Sequence, residues 1–406
     1  MLVATPVATD TRVLREATTL VAAGHTVHVV GRAVPEDFVP PAGVTVSSVG
    51  VSSALRRDGA APLSARRQPA PVRLARWLLL PEHRRSAFGR WAAAATVDAQ
   101  RRGFDAVHAH DFTALAAGSA LAEARDVPLV YDAHELWTGR PREHRPTPWA
   151  DRRERRLEQT LGDRADAVLT VGDGVADALR RRYGWNHVTV VRNTFPAAAT
   201  PPTPPDAPTA LVYPGRLAAY RELETVAAVT LDPGIPLPVT LVGPADATWL
   251  AGFDPGHAAV RAPVGTDELT DLLTRAGLAL VTHSDAWENH RLALPNKLFH
   301  AVRAGVPVVA TDVGELAKAV REHGLGTLYR PGDTRSLARA VEEAVADYAG
   351  LRRAVLAASG TLSWEADAHR LLAVYDRLAA RRHGQDATRR ADAAPVDHGT
   401  DEDRQR

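Results

Sequence analysis

The chain has 406 residues, 45% of them hydrophobic, and a formal net charge of +1. That length holds two ordinary domains with full cores, and so balanced a charge gives no global attraction to nucleic acid. Without cysteine, disulfides, thiolate metal sites and cysteine nucleophiles are excluded, and no apolar run reaches the roughly 18–20 residues of a membrane-spanning helix.

The opening Met-Leu-Val-Ala-Thr-Pro reads as a first strand rather than a charged-then-apolar leader. A cytoplasmic protein is the expectation. Short β-branched runs predict strands at 2–5, 27–30, 44–46, 106–108, 129–131, 168–171 and 189–191. Between the third and fourth, arginines (Arg56, Arg57, Arg66, Arg67, Arg73, Arg76, Arg84, Arg85) surround Trp77-Leu78-Leu79-Leu80. Such a basic amphipathic stretch can lie on an anionic membrane, with peripheral contact through 66–90, or pack as a core helix with a solvated arginine face. Pro201-Pro202-Thr203-Pro204-Pro205 marks a semi-rigid linker over 196–209. Further strands follow at 210–213, 239–242, 278–281 and 308–311. A last apolar helix is expected at 364–381, and 382–406, polar and without periodicity, reads as disordered.

Strands alternating with helices imply crossover connections and parallel sheets. The expected fold is therefore α/β, with two doubly wound parallel-sheet domains at 1–195 and 210–363. Ligands of such sheets bind beyond the C-terminal strand ends.

Three groups of residues stand at those ends. His108-Ala109-His110-Asp111 and Tyr131-Asp132-Ala133-His134-Glu135 follow two neighbouring strands of the first domain. They could share a cleft, or simply hydrogen-bond the backbone; no fourth ligand is evident for a zinc ion at His108, His110 and His134. In the second domain Gly215-Arg216 follows a strand, and Arg221 comes five residues on. Two cations beside a glycine turn suit a diphosphate, although solvated surface arginines would read the same way. Leu294-Pro-Asn-Lys-Leu-Phe-His-Ala-Val-Arg-Ala-Gly305 predicts a short helix with Pro295 at its first position and Gly305 at its stop. Asn296 and His300 share a face, and the helix start beside Asn296 and Lys297 can hold a phosphate. A polar loop, Asp285 to His290, precedes it. Neither a G-x-G-x-x-G fingerprint nor a Walker loop is present, which argues against nicotinamide and P-loop enzymes.

In order and spacing these motifs, with Asp10-Thr11-Arg12-Val13-Leu14-Arg15-Glu16, Gly24-His25, Asp166–Val171, Asn193 and Ala304-Gly305-Val306-Pro307-Val308, resemble glycosyltransferase family 4 over about residues 1–380. The resemblance implies the GT-B architecture of two facing Rossmann-like domains. It implies a retaining, hexosyl-type transferase that uses a nucleotide-diphosphate sugar as co-substrate and needs no other cofactor. By that analogy Gly215, Arg216 and Arg221 hold the donor diphosphate, and Glu288, Asn289, Asn296, Lys297 and His300 contact sugar and phosphate. His134 approaches the reacting sugar, Asn193 sits at the domain junction, and His108, His110, Asp111, Asp132 and Glu135 shape the side of a small-molecule or lipid-linked acceptor. The final helix crosses back onto the first domain. The family's paired glutamates are replaced here by Leu292 and His300, and a frequent glycine by Glu222. A nucleotide-sugar epimerase, a pseudo-glycosidic coupling enzyme and a non-catalytic nucleotide-sugar binder are the alternatives. The only Asp-x-Asp, Asp401-Glu402-Asp403, lies in the tail, so transfer is expected to be metal-independent.

Overall fold

A computed structural model describes residues 1–50, 88–140, 148–231 and 235–392. The arginines from Arg56 to Arg85, and with them all of the expected membrane contact at 66–90 except 88–90, lie outside the described residues, as does the tail from 393 onward.

The first half runs β1 (Leu2–Pro6), α1 (Thr11–Ala22), β2 (Val27–Arg32), β3 (Val44–Ser48), α2 (88–100), β4 (Val107–His110), α3 (Asp111–Arg125), β5 (Leu129–Ala133), α4 (Pro148–Gly162), β6 (Ala167–Thr170), α5 (Asp173–Tyr183) and β7 (Val188–Val190). Its sheet has the order β3-β2-β1-β4-β5-β6-β7, parallel throughout. The second half runs β8 (Ala210–Pro214), α6 (Leu223–Thr230), β9 (Val239–Val242), α7 (Ala247–Leu250), β10 (Ala259–Arg261), α8 (Thr266–Ala276), β11 (Gly277–Val281), α9 (Glu288–Leu292), α10 (Asn296–Arg303), β12 (Val308–Thr311), α11 (Gly314–His323), β13 (Gly326–Tyr329), α12 (Thr334–Ala346) and α13 (Tyr348–Ser359). Its parallel sheet is ordered β10-β9-β8-β11-β12-β13. The fold is thus α/β with two doubly wound sheets. Two strands escaped the sequence reading: β10, three exposed residues, and β13, which opens on a glycine.

Each sheet is covered on both faces, which is why its central strands are continuously apolar. Leu115, Leu121 and Leu179 pack one face of the first sheet, and Val13, Leu20 and Leu371 the other. Leu298, Phe299 and Leu316 cover one face of the second, and Val226, Leu337 and Val341 the other. The last helix, α14 (Trp364–Asp392), packs on the first domain: Trp364, Leu371, Val374 and Leu378 join the cluster of Val3, Val13 and Val29, and Trp364 Nε1 donates to Thr19 Oγ1 at 2.9 Å. It runs on past 381 to Asp392.

Each sheet has a topological switch where strand order reverses, between β1 and β4 and between β8 and β11. A crevice opens there beyond the strand ends, and ligands of open α/β sheets bind in it.

Candidate active site

At the second switch, a cavity of about 390 Å³ lies beyond the ends of β8 and β11. The structure brings Gly215, Arg216, Arg221, Asn296, Lys297 and His300 together around it, with His283 from beyond the end of β11 and the apolar residues Val242, Pro244, Pro263, Val264 and Leu269. No carboxylate lines it among the described residues. Close backbone packing shapes its floor: Gly243 has φ +151°, and a Cβ there would sit 2.1 Å from the Gly215 carbonyl oxygen. Helix α10 points its start at this cavity. Pro295 is the N-cap, with ψ 143°, so the first helical residue is Asn296, one later than the sequence reading placed it. The pyrrolidine has no N–H to supply, and its extended backbone leaves the N–H groups of the first turn at the helix mouth. Gly305 closes the helix at φ +68°, as expected of a C′ stop.

Charge in the cavity is tuned by burial. Lys297 is 8% exposed, its ammonium 5.1 Å from the centre of the Tyr213 ring. Burial, reinforced by Arg221, lowers its pKa to about 7. His300 packs against Phe195 with ring centres 4.0 Å apart and the planes tilted by 31°, and burial together with Arg303, Arg15 and Lys297 lowers it to about 4. The ring is therefore neutral near pH 7.

A second group sits at the first switch. Strand β4 extends through His110, so His108 and His110 lie within the sheet and are buried, rather than standing free in an acceptor cleft beyond it. Being two apart, they point to one face, and their rings stack at 4.2 Å. The centre of the group is a residue pair the sequence reading gave no role, Arg12 and Glu16 on the inner face of α1. Arg12 grips Asp132 through Nε at 2.7 Å and Nη2 at 2.8 Å, and donates from Nη1 to Val191 O and Asn193 Oδ1. His110 Nδ1 lies 3.1 Å and His134 Nε2 3.0 Å from Asp132 Oδ2. His134 Nδ1 faces Asp111 at 3.3 Å. His108 Nδ1 meets the Tyr375 hydroxyl of α14 at 2.9 Å.

Buried charges in so tight a group set one another. Burial would raise Asp132, but Arg12 and His134 hold it well below the usual carboxylate range. Burial would lower His134, but Asp111 and Asp132 push it up to about 10. Glu16 moves the other way: burial outweighs Arg12 and raises it to about 8, so it carries a proton near pH 7. Two cations, Arg12 and the His134 imidazolium, then balance the carboxylates of Asp132 and Asp111. Glu16, His108, His110 and Asp132 offer ligand atoms within 4.8 Å of one another and could hold a metal. The Arg12 guanidinium, against the Asp132 carboxylate and the Glu16 carboxyl group, opposes a cation there.

A third group joins the domains. Glu288 and Asn289 do not form a free loop. They open α9, which turns them to the first domain: Asn289 Nδ2 donates to Glu135 Oε2 at 3.0 Å and to Leu136 O, and Glu288 pairs with Arg182 at 3.0 Å. Burial and Asp111 raise Glu135 to about 7. Arg15 of α1 donates to Thr194 O and stacks on Phe195 and Trp364. Glu222, which stands where a glycine is frequent, has φ +58° and accepts from Gly332 N at 2.8 Å.

Two Rossmann-like domains, closed on each other by side chains from both and carrying a cationic cavity at the second switch point, define the GT-B architecture of glycosyltransferases. Residues 8–194 match the family model of the glycosyl transferase 4-like domain, and residues 209–347 that of glycosyl transferases group 1. The chain is 30% identical over 300 residues to the glycogen synthase of Mycobacterium tuberculosis, spanning 68% of this chain and 69% of that protein. Among solved structures it is similar in fold to a sucrose-phosphate synthase from Thermosynechococcus elongatus (TM-score 0.66, 18% identity, 91% and 93% of the two chains). Anabaena HepE, solved with UDP-glucose, is another (TM-score 0.62, 16% identity, 94% and 99%). The chain belongs to the family-4 glycosyltransferases and is a glycosyltransferase.

Proposed function

We propose that the protein transfers a sugar from a nucleoside-diphosphate sugar, held in the second-domain cavity, to a small-molecule or lipid-linked acceptor approaching from the first domain. The observation that carries this reading is the lining of that cavity: Arg216, Arg221, Lys297 and the start of α10 share it with the apolar side chains of Val242, Pro244, Pro263, Val264 and Leu269, with no carboxylate among them. The cations suit a diphosphate and the apolar side chains a nucleobase. Breaking the sugar–phosphate bond leaves negative charge on the diphosphate, which these cations stabilise where it develops. Divalent cations are held by oxygen ligands, and the cavity offers arginines and a lysine instead; we take the reaction to be metal-independent.

His134 enters as a fixed cation rather than a base. With Asp132 at one ring nitrogen and Asp111 at the other, its protonated ring has no free lone pair. The acceptor proton then passes to the departing diphosphate oxygen as the acceptor oxygen bonds to the sugar carbon. Leaving group and nucleophile share one face, so configuration is retained. UDP-glucose in HepE and the glycogen synthase relationship support a nucleotide-sugar donor.

The test is nucleoside-diphosphate release from UDP-, GDP-, ADP- and dTDP-sugars in the presence of chelator. One donor should turn over unaffected by chelation, and Arg221→Ala should lower kcat at least about 100-fold, the scale seen for removing one charge-stabilising donor. Activity lost on chelation would refute the metal-independent reaction.

A further inference from the structure

Helix α4 (Pro148–Gly162) sorts its charges by side. Its carboxylates face the protein: Glu158 accepts from the Tyr131 hydroxyl at 2.9 Å and the Tyr183 hydroxyl at 2.7 Å, Glu154 accepts from Trp137 Nε1 at 3.0 Å, and Asp151 is half-buried. Its arginines, Arg152, Arg153, Arg155 and Arg156, are all exposed, and none is ion-paired with a described residue. No acidic residue stands on the exposed face of the helix among the described residues. Apolar side chains share that face: Trp149 is 78% exposed and Leu157 40%. Trp149, Arg153 and Arg156 stand at i, i+4 and i+7 and so form one stripe. A helix that merely solvates its outer face mixes signs, as α12 does with Arg335, Arg339, Glu342 and Glu343 all exposed. An outward stripe of arginines around a tryptophan instead suits a lipid interface, where apolar side chains enter the headgroup boundary and guanidinium groups meet anionic headgroups. A nucleic-acid backbone would satisfy the arginines but would not bury Trp149 and Leu157 together. The helix follows β5 and runs back along the sheet, so its first turn, with Trp149, lies at the edge where the strands end and the crevice opens.

We propose that the outer face of α4 is a docking surface for an anionic lipid membrane, with Trp149 seated among the headgroups and the arginines against their phosphates. Docking there brings the mouth of the first-domain crevice to the lipid surface. The surface stands on α4 alone and is independent of the donor reading above. Of the two acceptor classes in that reading, it favours the lipid-linked one.

The experiment is co-sedimentation of the full chain with vesicles of phosphatidylcholine alone and of equimolar phosphatidylcholine and phosphatidylglycerol. The wild type should bind the anionic vesicles at least about tenfold tighter, and the preference should fade as salt is raised, because exposed charges are screened. Arg153→Gln together with Arg156→Gln should weaken binding to the anionic vesicles by at least about tenfold, each arginine near the surface being worth about fivefold. Trp149→Ala should weaken it by at least about fivefold through lost apolar burial, and Trp149→Phe should restore most of that loss. All these side chains are exposed, so the variants should melt with the wild type. A wild type that binds neither vesicle, or both equally, overturns the proposal. So do variants that melt with the wild type and bind the anionic vesicles as tightly. Binding to a DNA duplex tighter than to the anionic vesicles identifies a nucleic acid as the partner and overturns it as well. Failure to bind any nucleoside diphosphate in a separate titration sinks the donor reading and leaves the docking surface standing.

Discussion

Lys297 offers the sharpest perturbation, because its stability and functional roles have opposite signs. A free lysine near 10.5 is brought to about 7 here by burial and Arg221. At about 1.4 kcal/mol per pKa unit, that is on the order of 5 kcal/mol against the charged form in the folded state. Between pH 7 and 10.5 the unfolded chain binds more protons at this position than the folded one, so stability rises with pH across that window. Lys297→Met keeps the apolar stem and removes the charge. At pH 7 it should stabilise the protein by roughly 2–4 kcal/mol, less than the full figure because the ammonium contact with Tyr213 is lost. It should also weaken nucleoside-diphosphate binding by at least about tenfold, since a charge-assisted bond to phosphate is removed. In the wild type, binding a diphosphate should complete the protonation of a half-protonated lysine, taking up about half a proton at pH 7. Differential scanning calorimetry reads the first effect, and titration in phosphate against Tris, whose ionisation heats differ, reads the last. A variant melting at or below the wild type, together with no proton uptake, would refute the reasoning.

Asp132→Asn should destabilise the protein by about 3–5 kcal/mol in urea unfolding, because Arg12 and His134 would be left buried against a neutral amide; a loss under about 1 kcal/mol would contradict the network. Acid and alkali should act on that network separately. Asp132 contributes stability above the unfolded carboxylate pKa near 3.8, lost as pH falls through its lower folded value, whereas His134 contributes below 6.5 and loses it as pH rises through about 10. Lys297 masks the alkaline limb in the wild type, so Lys297→Met should lose stability between pH 7 and 10, and a flat profile there would count against a charged His134. Arg182→Ala breaks a pair in which Glu288 is 40% exposed, so its stability change should stay under about 1 kcal/mol, while the donor KM rises several-fold as α9 loosens from the first domain; an unaltered KM would remove that contact from the working site.

How far the sequence could be read follows from the range of the forces involved. The strands at 239–242 and 308–311 were legible because a doubly covered strand must be continuously apolar, a local property. Strand β10 was not, since its three exposed residues owe their conformation to pairing with β9. The α10 helix and the shared face of Asn296 and His300 were likewise local. Arg12 and Glu16 did carry a signal: they fall on the same helical stripe as Val13, Ala17 and Leu20, where a charge must find a partner. That partner is Asp132, 120 residues away, and no spacing rule reaches it. Glu288 and Asn289 read as a polar loop for the same reason; their partners, Arg182 and Glu135, lie 106 and 154 residues back. His108 and His110 were read as standing at and beyond the strand end, because the C-terminal end of the central strand β4, covered by α1 and α14, looks in sequence like any other polar strand terminus.

The account stands on where the diphosphate goes, and a crystal structure with the tightest-binding nucleotide sugar tests that directly. Diphosphate oxygens should lie within about 2.7–3.2 Å of nitrogens on Arg216, Arg221, Lys297 or the first turn of α10, with the base against Pro244, Val264 and Leu269 and the ribose beside His300. A diphosphate bound instead at the β1–β4 switch of the first domain, among Arg12, His134 and Asn193, would contradict it.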